Sequence, residues 1–115
     1  MRVKWGETCW FFTEREVHIY SDLPADSPPL LVHCASGDDD LGHHTLTFHQ
    51  DYSFSFCNIP FTTLFFCNLR WGAKGKSFDA YNARWHGDRC HGDTCKWAAH
   101  PDGLYLMAVK QFDWE

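Results

Sequence analysis

Short alternating segments of apolar and polar residues dominate the chain. In EVHIYSDL, Val17 and Ile19 alternate with His18 and Tyr20, and DYSFSFC and TTLFFCNLRW follow the same period of two. This period predicts strands with one buried face. Breaker-rich segments such as ADSPP, SGDDDLG and GAKGK separate the runs, and PDG between CKWAAH and GLYLMAV predicts a hairpin. About eight strands and no convincing helix predict an all-β fold, a small antiparallel β-sandwich.

The 115 residues suit one domain. Residues 1–15 form an N-terminal aromatic arm, and we expect residues 16–115 to form the sandwich domain. A net charge of −5 disfavours nucleic-acid binding, because phosphate contacts need clustered Lys and Arg. We expect no membrane insertion, since the apolar runs are too short to span a bilayer. No signal peptide is visible, so a secreted form would have had it removed or omitted.

Six cysteines make an even count in a small chain, which predicts a stabilising disulfide framework in an oxidising compartment. The alternative is six reduced thiols, but no pair has the Cys-x2-Cys spacing of a zinc site. Six cysteines allow fifteen pairings, and the sequence alone does not choose among them. The six are Cys9, Cys34, Cys57, Cys67, Cys90 and Cys95.

The stretch HCASGDDDLGHH concentrates groups that can bind metals. Its three consecutive aspartates lack the alternate spacing of a calcium loop, and we interpret them as an acidic turn. His43 and His49 would lie about 20 Å apart along one strand, too far to share an ion. We therefore expect no metal site and no cofactor here.

Catalysis by cysteine or histidine has little support in the pattern. His33 precedes Cys34 and His91 follows Cys90. However, neighbours on a strand point to opposite faces, and a bridged cysteine offers no thiolate. No motif identifies a ribonuclease-like pair of histidines, so we expect no catalytic residue.

Several motifs in order resemble one family. HC, DDDLG, TLFFC, FDAY, RCHGDTCKW and DGLY, within residues 17–107, are similar to the plant self-incompatibility S1 family, the S-protein homologues. The resemblance implies a small secreted plant protein with an all-β sandwich and disulfides. It also implies no known catalytic residue or cofactor. The best-known relatives are pistil ligands in pollen rejection.

The chain departs from the family pattern at a few positions. Ser21 stands where the family usually has Asn, and His49 and Phe61 stand where it has Gly. These changes concern the shape of turns. Cys9 and Cys57 lie outside the usual four-cysteine pattern, and we suspect that they form an additional bridge that pins the arm to the sandwich.

These observations favour a non-catalytic signalling ligand that presents loops to an unidentified protein receptor at a plant cell surface. A secreted carbohydrate-binding module and a small secreted hydrolase are the alternatives, and the oligomeric state stays open. The candidate contact regions are the 36–44 loop, the 72–77 turn and the 84–94 loop, since loops on a rigid scaffold commonly carry recognition. Their candidate residues are Asp38, Asp39, Asp40, His43, His44, Lys74, Lys76, Arg84, Trp85, His86, Arg89, His91 and Asp93.

Overall fold

The computed structural model describes residues 2–4 (backbone only), 9, 12–85, 89–90 and 92–115. In this part of the chain, ten strands form two sheets, and no helix is long and apolar enough to cross a membrane. The strands are β1 Arg2–Lys4, β2 Thr13–Ser21, β3 Leu30–Ala35, β4 Asp40–Leu46, β5 Asp51–Asn58, β6 Leu64–Trp71, β7 Lys74–Asn82, β8 Thr94–His100, β9 Gly103–Leu106 and β10 Val109–Phe112. The sheet orders are β1-β5-β2-β8-β9-β10 and β4-β3-β6-β7.

The predicted β-sandwich is confirmed, with more strands than the pattern indicated. The additional strands are β1, within the range set apart as an arm, and β10, which a turn separates from β9. The four-stranded sheet is antiparallel throughout. The six-stranded sheet is mixed, because β2 pairs with β8, and β1 with β5, in parallel.

Alternating side chains from both sheets fill the core. Val17 and Ile19 are fully buried, and the aromatic rings of β5 pack against β6 and β7. Phe56, for example, lies 4.4 Å from Phe65 and 5.1 Å from Tyr81 between ring centroids. Burying each such side chain contributes about 2 to 3 kcal/mol.

Three disulfides use all six cysteines. Cys34 and Cys67 are direct partners on β3 and β6, and their Cα atoms lie 4.0 Å apart. The other two bonds join Cys9 to Cys57 and Cys90 to Cys95. The first of these attaches the N-terminal residues to β5, and the second closes a short loop before β8.

Two of the expected loops are shorter than the sequence indicated. β4 begins at Asp40, so His43 and His44 lie on a strand, because pairing with β3 continues to Ala35 through a bulge. Lys74 and Lys76 likewise lie on β7. There the chain reverses within two residues, 72–73, and Trp71 pairs with Lys74.

Candidate functional site

Three connections meet at one end of the sandwich, which we name the loop end. They are residues 36–39 between β3 and β4, 59–63 between β5 and β6, and the described part of 83–93 (83–85, 89–90 and 92–93) between β7 and β8. Because β3, β5 and β7 all run toward this end, their connections lie together. The turn at 72–73 lies at the opposite end, since it joins the far ends of β6 and β7.

The 36–39 turn is held by its own serine. Ser36 Oγ accepts hydrogen bonds from the backbone N–H of Asp39 at 3.1 Å and of Asp38 at 3.4 Å. Ser36 N also donates to the carbonyl oxygen of Asp39 at 2.7 Å. The chain thereby presents Asp38 to solvent at the loop end and leaves Asp39 half-buried.

Asp40 is held as an anion by the donors around it. Its Oδ1 accepts from the backbone N–H of Gly42 at 2.9 Å and contacts His33 Nε2 at 2.7 Å. The hydrogen bond from Gly42, followed by that from His33, lowers the pKa of the Asp40 carboxyl. Among the described residues, no group of three or more His, Cys, Asp or Glu side chains is placed to hold a metal ion.

The 59–63 connection exposes the side chain of Phe61 to solvent. The carbonyl oxygen of Ile59 accepts from the N–H groups of Thr62 and Thr63, both at 3.1 Å, and Ile59 N donates to Thr63 Oγ1 at 2.7 Å. This tight turn places Phe61 at φ 66° with 72% of the residue exposed. Phe61 is not among the contact residues predicted from the sequence, although the family resemblance marks it as a turn position.

An apolar groove lies beside this turn. It has a volume of about 340 Å³, with Phe56, Phe65, Ile59 and Leu64 among its lining side chains. Ser36, Gly37, Asp38 and Asp39 line the other side of the groove. The groove thus combines apolar walls with carboxylates, one of which is exposed.

A second, basic pocket of about 210 Å³ lies at the same end. Arg89 Cζ lies 5.1 Å from the centre of the Trp85 ring, and this ring meets Tyr81 edge-on at 5.7 Å. Burial raises the pKa of the Tyr81 hydroxyl, and the nearby Arg15 charge acts in the opposite direction. The lining residues are Arg15, Asn58, Tyr81, Asn82, Ala83, Trp85, Arg89 and Cys90.

Hydrogen bonds connect the 83–93 segment to the phenylalanine turn. Ala83 N donates to the Thr63 carbonyl oxygen at 2.9 Å, and Arg84 Nε donates to the Phe61 carbonyl oxygen at 2.8 Å. These hydrogen bonds join two of the three connections, and residues 36–39 line the same groove as residues of the 59–63 connection.

The structure separates the predicted contact residues into groups. Asp38, Asp39, Arg84, Trp85, Arg89 and Asp93 lie together at the loop end, with Asp40 at the start of the adjoining strand. His86 and His91 lie outside the described residues.

The remaining predicted residues lie elsewhere. The His43 ring packs on His33, and the His44 ring stacks on Tyr52, each at 4.1 Å between centroids. Lys74, 5.6 Å from the Trp71 ring, and Lys76, paired with Glu115, lie near the opposite end. Lys74 and Lys76 therefore do not share a surface with the loop end.

Comparisons with known proteins identify similar chains. The family model of plant self-incompatibility protein S1 matches residues 16–115. S-protein homolog 5 of Arabidopsis thaliana is 43% identical over 91 residues, which cover 76% of this chain and 70% of the relative. Self-incompatibility protein S1 of Papaver rhoeas is 41% identical over 107 residues, covering 91% and 76%.

A solved structure has the same fold. It belongs to the self-incompatibility protein homologues, described as a widespread family of small, highly stable, secreted proteins from plants. It matches with a TM-score of 0.70 and 22% identity over 91% of this chain and 97% of its own.

Proposed function

Because the chain belongs to the plant self-incompatibility protein S1 family, we propose that it is a secreted, non-catalytic ligand that binds a cell-surface protein receptor through the loop end. Three disulfides suit an oxidising extracellular environment. The solved relative is described as secreted.

The exposure of the Phe61 side chain is the main support for this proposal. A large aromatic side chain exposed at 72% forgoes burial that would stabilise it by about 2 to 3 kcal/mol. Its left-handed backbone, φ 66°, costs about 1 to 2 kcal/mol more for a residue other than glycine. Phenylalanine is among the residues enriched at the buried centre of protein interfaces, and a few such central residues supply most of the binding energy.

The surroundings of Phe61 have the composition of a binding surface. Ile59 and Leu64, exposed at 46% and 37%, extend the apolar area beside it. Asp38 on one side and Arg84 and Arg89 on the other are exposed charges around that area. A rim of both signs gives a partner orientation and specificity, while the apolar centre supplies affinity.

Binding of labelled protein to intact plant protoplasts tests the proposal. Phe61→Ala is compared with Phe48→Ala, because Phe48, exposed at 49%, lies in the connection between β4 and β5 at the opposite end. We expect saturable binding that protease treatment of the cells abolishes. Loss of a central aromatic anchor, worth about 2 kcal/mol, predicts an affinity roughly 30-fold lower for Phe61→Ala. Phe48→Ala should bind as the parent does.

Two results would contradict this assignment. If Phe61→Ala binds with unchanged affinity, the loop end is not the surface that binds the receptor. Binding that survives protease but is lost after glycosidase treatment would replace the protein receptor with a carbohydrate. Circular dichroism of both variants before the assay confirms that each is folded.

A further inference from the structure

The basic pocket at the loop end is unusual in a chain of net charge −5. Two guanidinium groups, of Arg15 and Arg89, line it. None of the described residues that line it carries a carboxylate. Asp93, whose exposed carboxylate lies 3.4 Å from Arg15 Nη1, is not among the lining residues. A concave site lined by two cations favours a negatively charged ligand, since the walls of a cleft concentrate the field of its charges.

Arg15 has donor capacity that the protein leaves unused. Its Nη1 donates to the Gly92 carbonyl oxygen at 2.8 Å and lies 3.4 Å from Asp93 Oδ1. Its Nε is buried and has no hydrogen-bond partner among the described residues. A buried N–H of a charged group without a partner is costly, so an acceptor supplied by a ligand would stabilise it.

Asn58 contributes a second unpaired polar atom to the same cavity. Its Oδ1 is buried, and the part of the chain that the structure describes offers it no hydrogen-bond partner. Since the amide can be turned by 180°, the side chain can direct its NH₂ group to this position instead. It can then donate to an anion.

The guanidinium of Arg89 is positioned by the ring of Trp85. The group lies over the Trp85 ring, 5.1 Å from its centre, in a cation–π contact. The N–H groups of a guanidinium lie in its plane and can donate to an acceptor supplied by a ligand.

We propose that the basic pocket binds a tetrahedral oxyanion, a phosphate or sulfate ester group carried by the protein partner. Two guanidinium groups and an amide line this pocket, and the three free oxygens of a phosphate or sulfate ester can accept from more of their N–H groups than the two oxygens of a carboxylate. The protein source of the anion rests on the proposed function. The affinity of the pocket for the anion does not depend on the proposed function.

An NMR titration of the full chain with inorganic sulfate and phosphate tests the pocket itself. Sodium chloride at matched ionic strength is the reference. We expect saturable shifts of the Arg15 Nε–H and Trp85 indole N–H signals, with little change at Trp97, whose indole N–H already donates to the Ala80 carbonyl oxygen. Shifts that chloride reproduces, or shifts that do not saturate, would overturn the proposal.

Two matched variants identify the residues responsible. Arg89→Gln should weaken sulfate binding at least fivefold, and it should fold normally because Arg89 is exposed. Arg70→Gln removes another exposed arginine, from β6, and should leave sulfate binding unchanged. If both variants weaken sulfate binding equally, the attraction is a general effect of charge, and the proposal of an anion site in the basic pocket is overturned.

The source of the anion is tested on protoplasts. If the partner carries it, Arg89→Gln weakens cell binding, and treatment of the cells with phosphatase or sulfatase weakens binding of the parent to a similar extent. If sulfate binds in solution but neither change alters cell binding, the pocket takes a free anion and the partner-carried part is wrong. Absence of all cell binding contradicts the proposed function but leaves the titration result standing.

Discussion

His18 lies between two carboxylates on the outer face of the six-stranded sheet. Its Nε2 is 2.6 Å from Glu16 Oε1, and its Nδ1 is 2.9 Å from Asp51 Oδ2. Burial alone lowers the pKa of His18, but the hydrogen bonds to Asp51 and Glu16 outweigh burial and raise it above 6.5. The imidazolium form, which donates from both nitrogens, is therefore favoured in the folded protein.

His18→Gln is expected to destabilise the protein mainly at acidic pH. A pKa that is raised on folding stabilises the native state fully below the unfolded value, and this contribution is lost as the pH rises through the folded value. The free energy of unfolding should fall by about 1 kcal/mol at pH 5 and by less at pH 8. The loss is smaller than for a buried charged pair, because water screens these groups.

Urea denaturation at pH 5 and pH 8 measures this difference. His43→Gln is the control, because His43 is exposed on β4 and its ring packs on His33. If His18→Gln lowers the free energy of unfolding equally at both pH values, the charged imidazolium has no such role.

Single turn residues show how far the sequence predicts local structure. His49 and Phe61, where the family resemblance has glycine, have φ of 62° and 66°. The resemblance therefore located two left-handed positions. It did not predict that Phe61 would be largely exposed while the His49 ring would stack on Tyr20 of β2, 5.7 Å away between centroids. The contact with Tyr20 joins two chain segments that come close only on folding.

At the scale of elements, the β9–β10 hairpin is the clearest departure from the pattern. GLYLMAV alternates like one strand, but the chain reverses at Met107 and Ala108, with φ of 50° and 69°. A two-residue hairpin of this form favours Asn-Gly, so the Met-Ala pair gave no turn signal. Strand pairing fixes a turn here that local propensity disfavours.

Ala108→Gly is therefore expected to stabilise the protein by about 1 kcal/mol, because glycine adopts a left-handed conformation without the clash of a Cβ atom. Ala73→Gly is the control at an exposed turn residue without a positive φ, and it should be neutral or destabilising. Thermal unfolding of both variants measures the difference. Ala108→Gly that is no more stable than Ala73→Gly would contradict this explanation.

The disulfides should contribute unequally to stability. Cys34 and Cys67 are separated by 33 residues and Cys90 and Cys95 by 5, so loop closure predicts losses of about 4 and about 2 kcal/mol when each pair is replaced by alanine. Guanidinium denaturation of the two double variants checks this order. The reverse order would show that the short loop has a larger structural role than its length implies.

At the scale of the whole molecule, the alternating pattern was enough to predict the sandwich but not its assembly. Core residues such as Val17, Ile19 and Phe54 could be identified from alternation alone. The parallel pairing of β2 with β8 joins Glu16 to Thr94 across most of the chain, and no local signal encodes it. The same long-range pairing decides which loops share an end of the molecule.

This assembly determines the candidate site. The sequence predicted three contact regions, and the topology places the 36–39 and 83–93 connections at the loop end and the 72–73 turn at the other. It also adds the phenylalanine turn at 59–63, which is hydrogen-bonded to Ala83 and Arg84. The receptor surface that we propose is therefore a product of the fold and not of one motif.

Photo-crosslinking on intact protoplasts tests this surface most directly. A photoreactive phenylalanine is placed at position 61 or, as the control, at position 48, which is similarly aromatic and lies at the opposite end. We expect a discrete protein adduct from position 61, abolished by excess unlabelled protein, and none from position 48. An adduct from position 48 alone would place the receptor at the other end of the sandwich and would contradict the loop end as the binding surface.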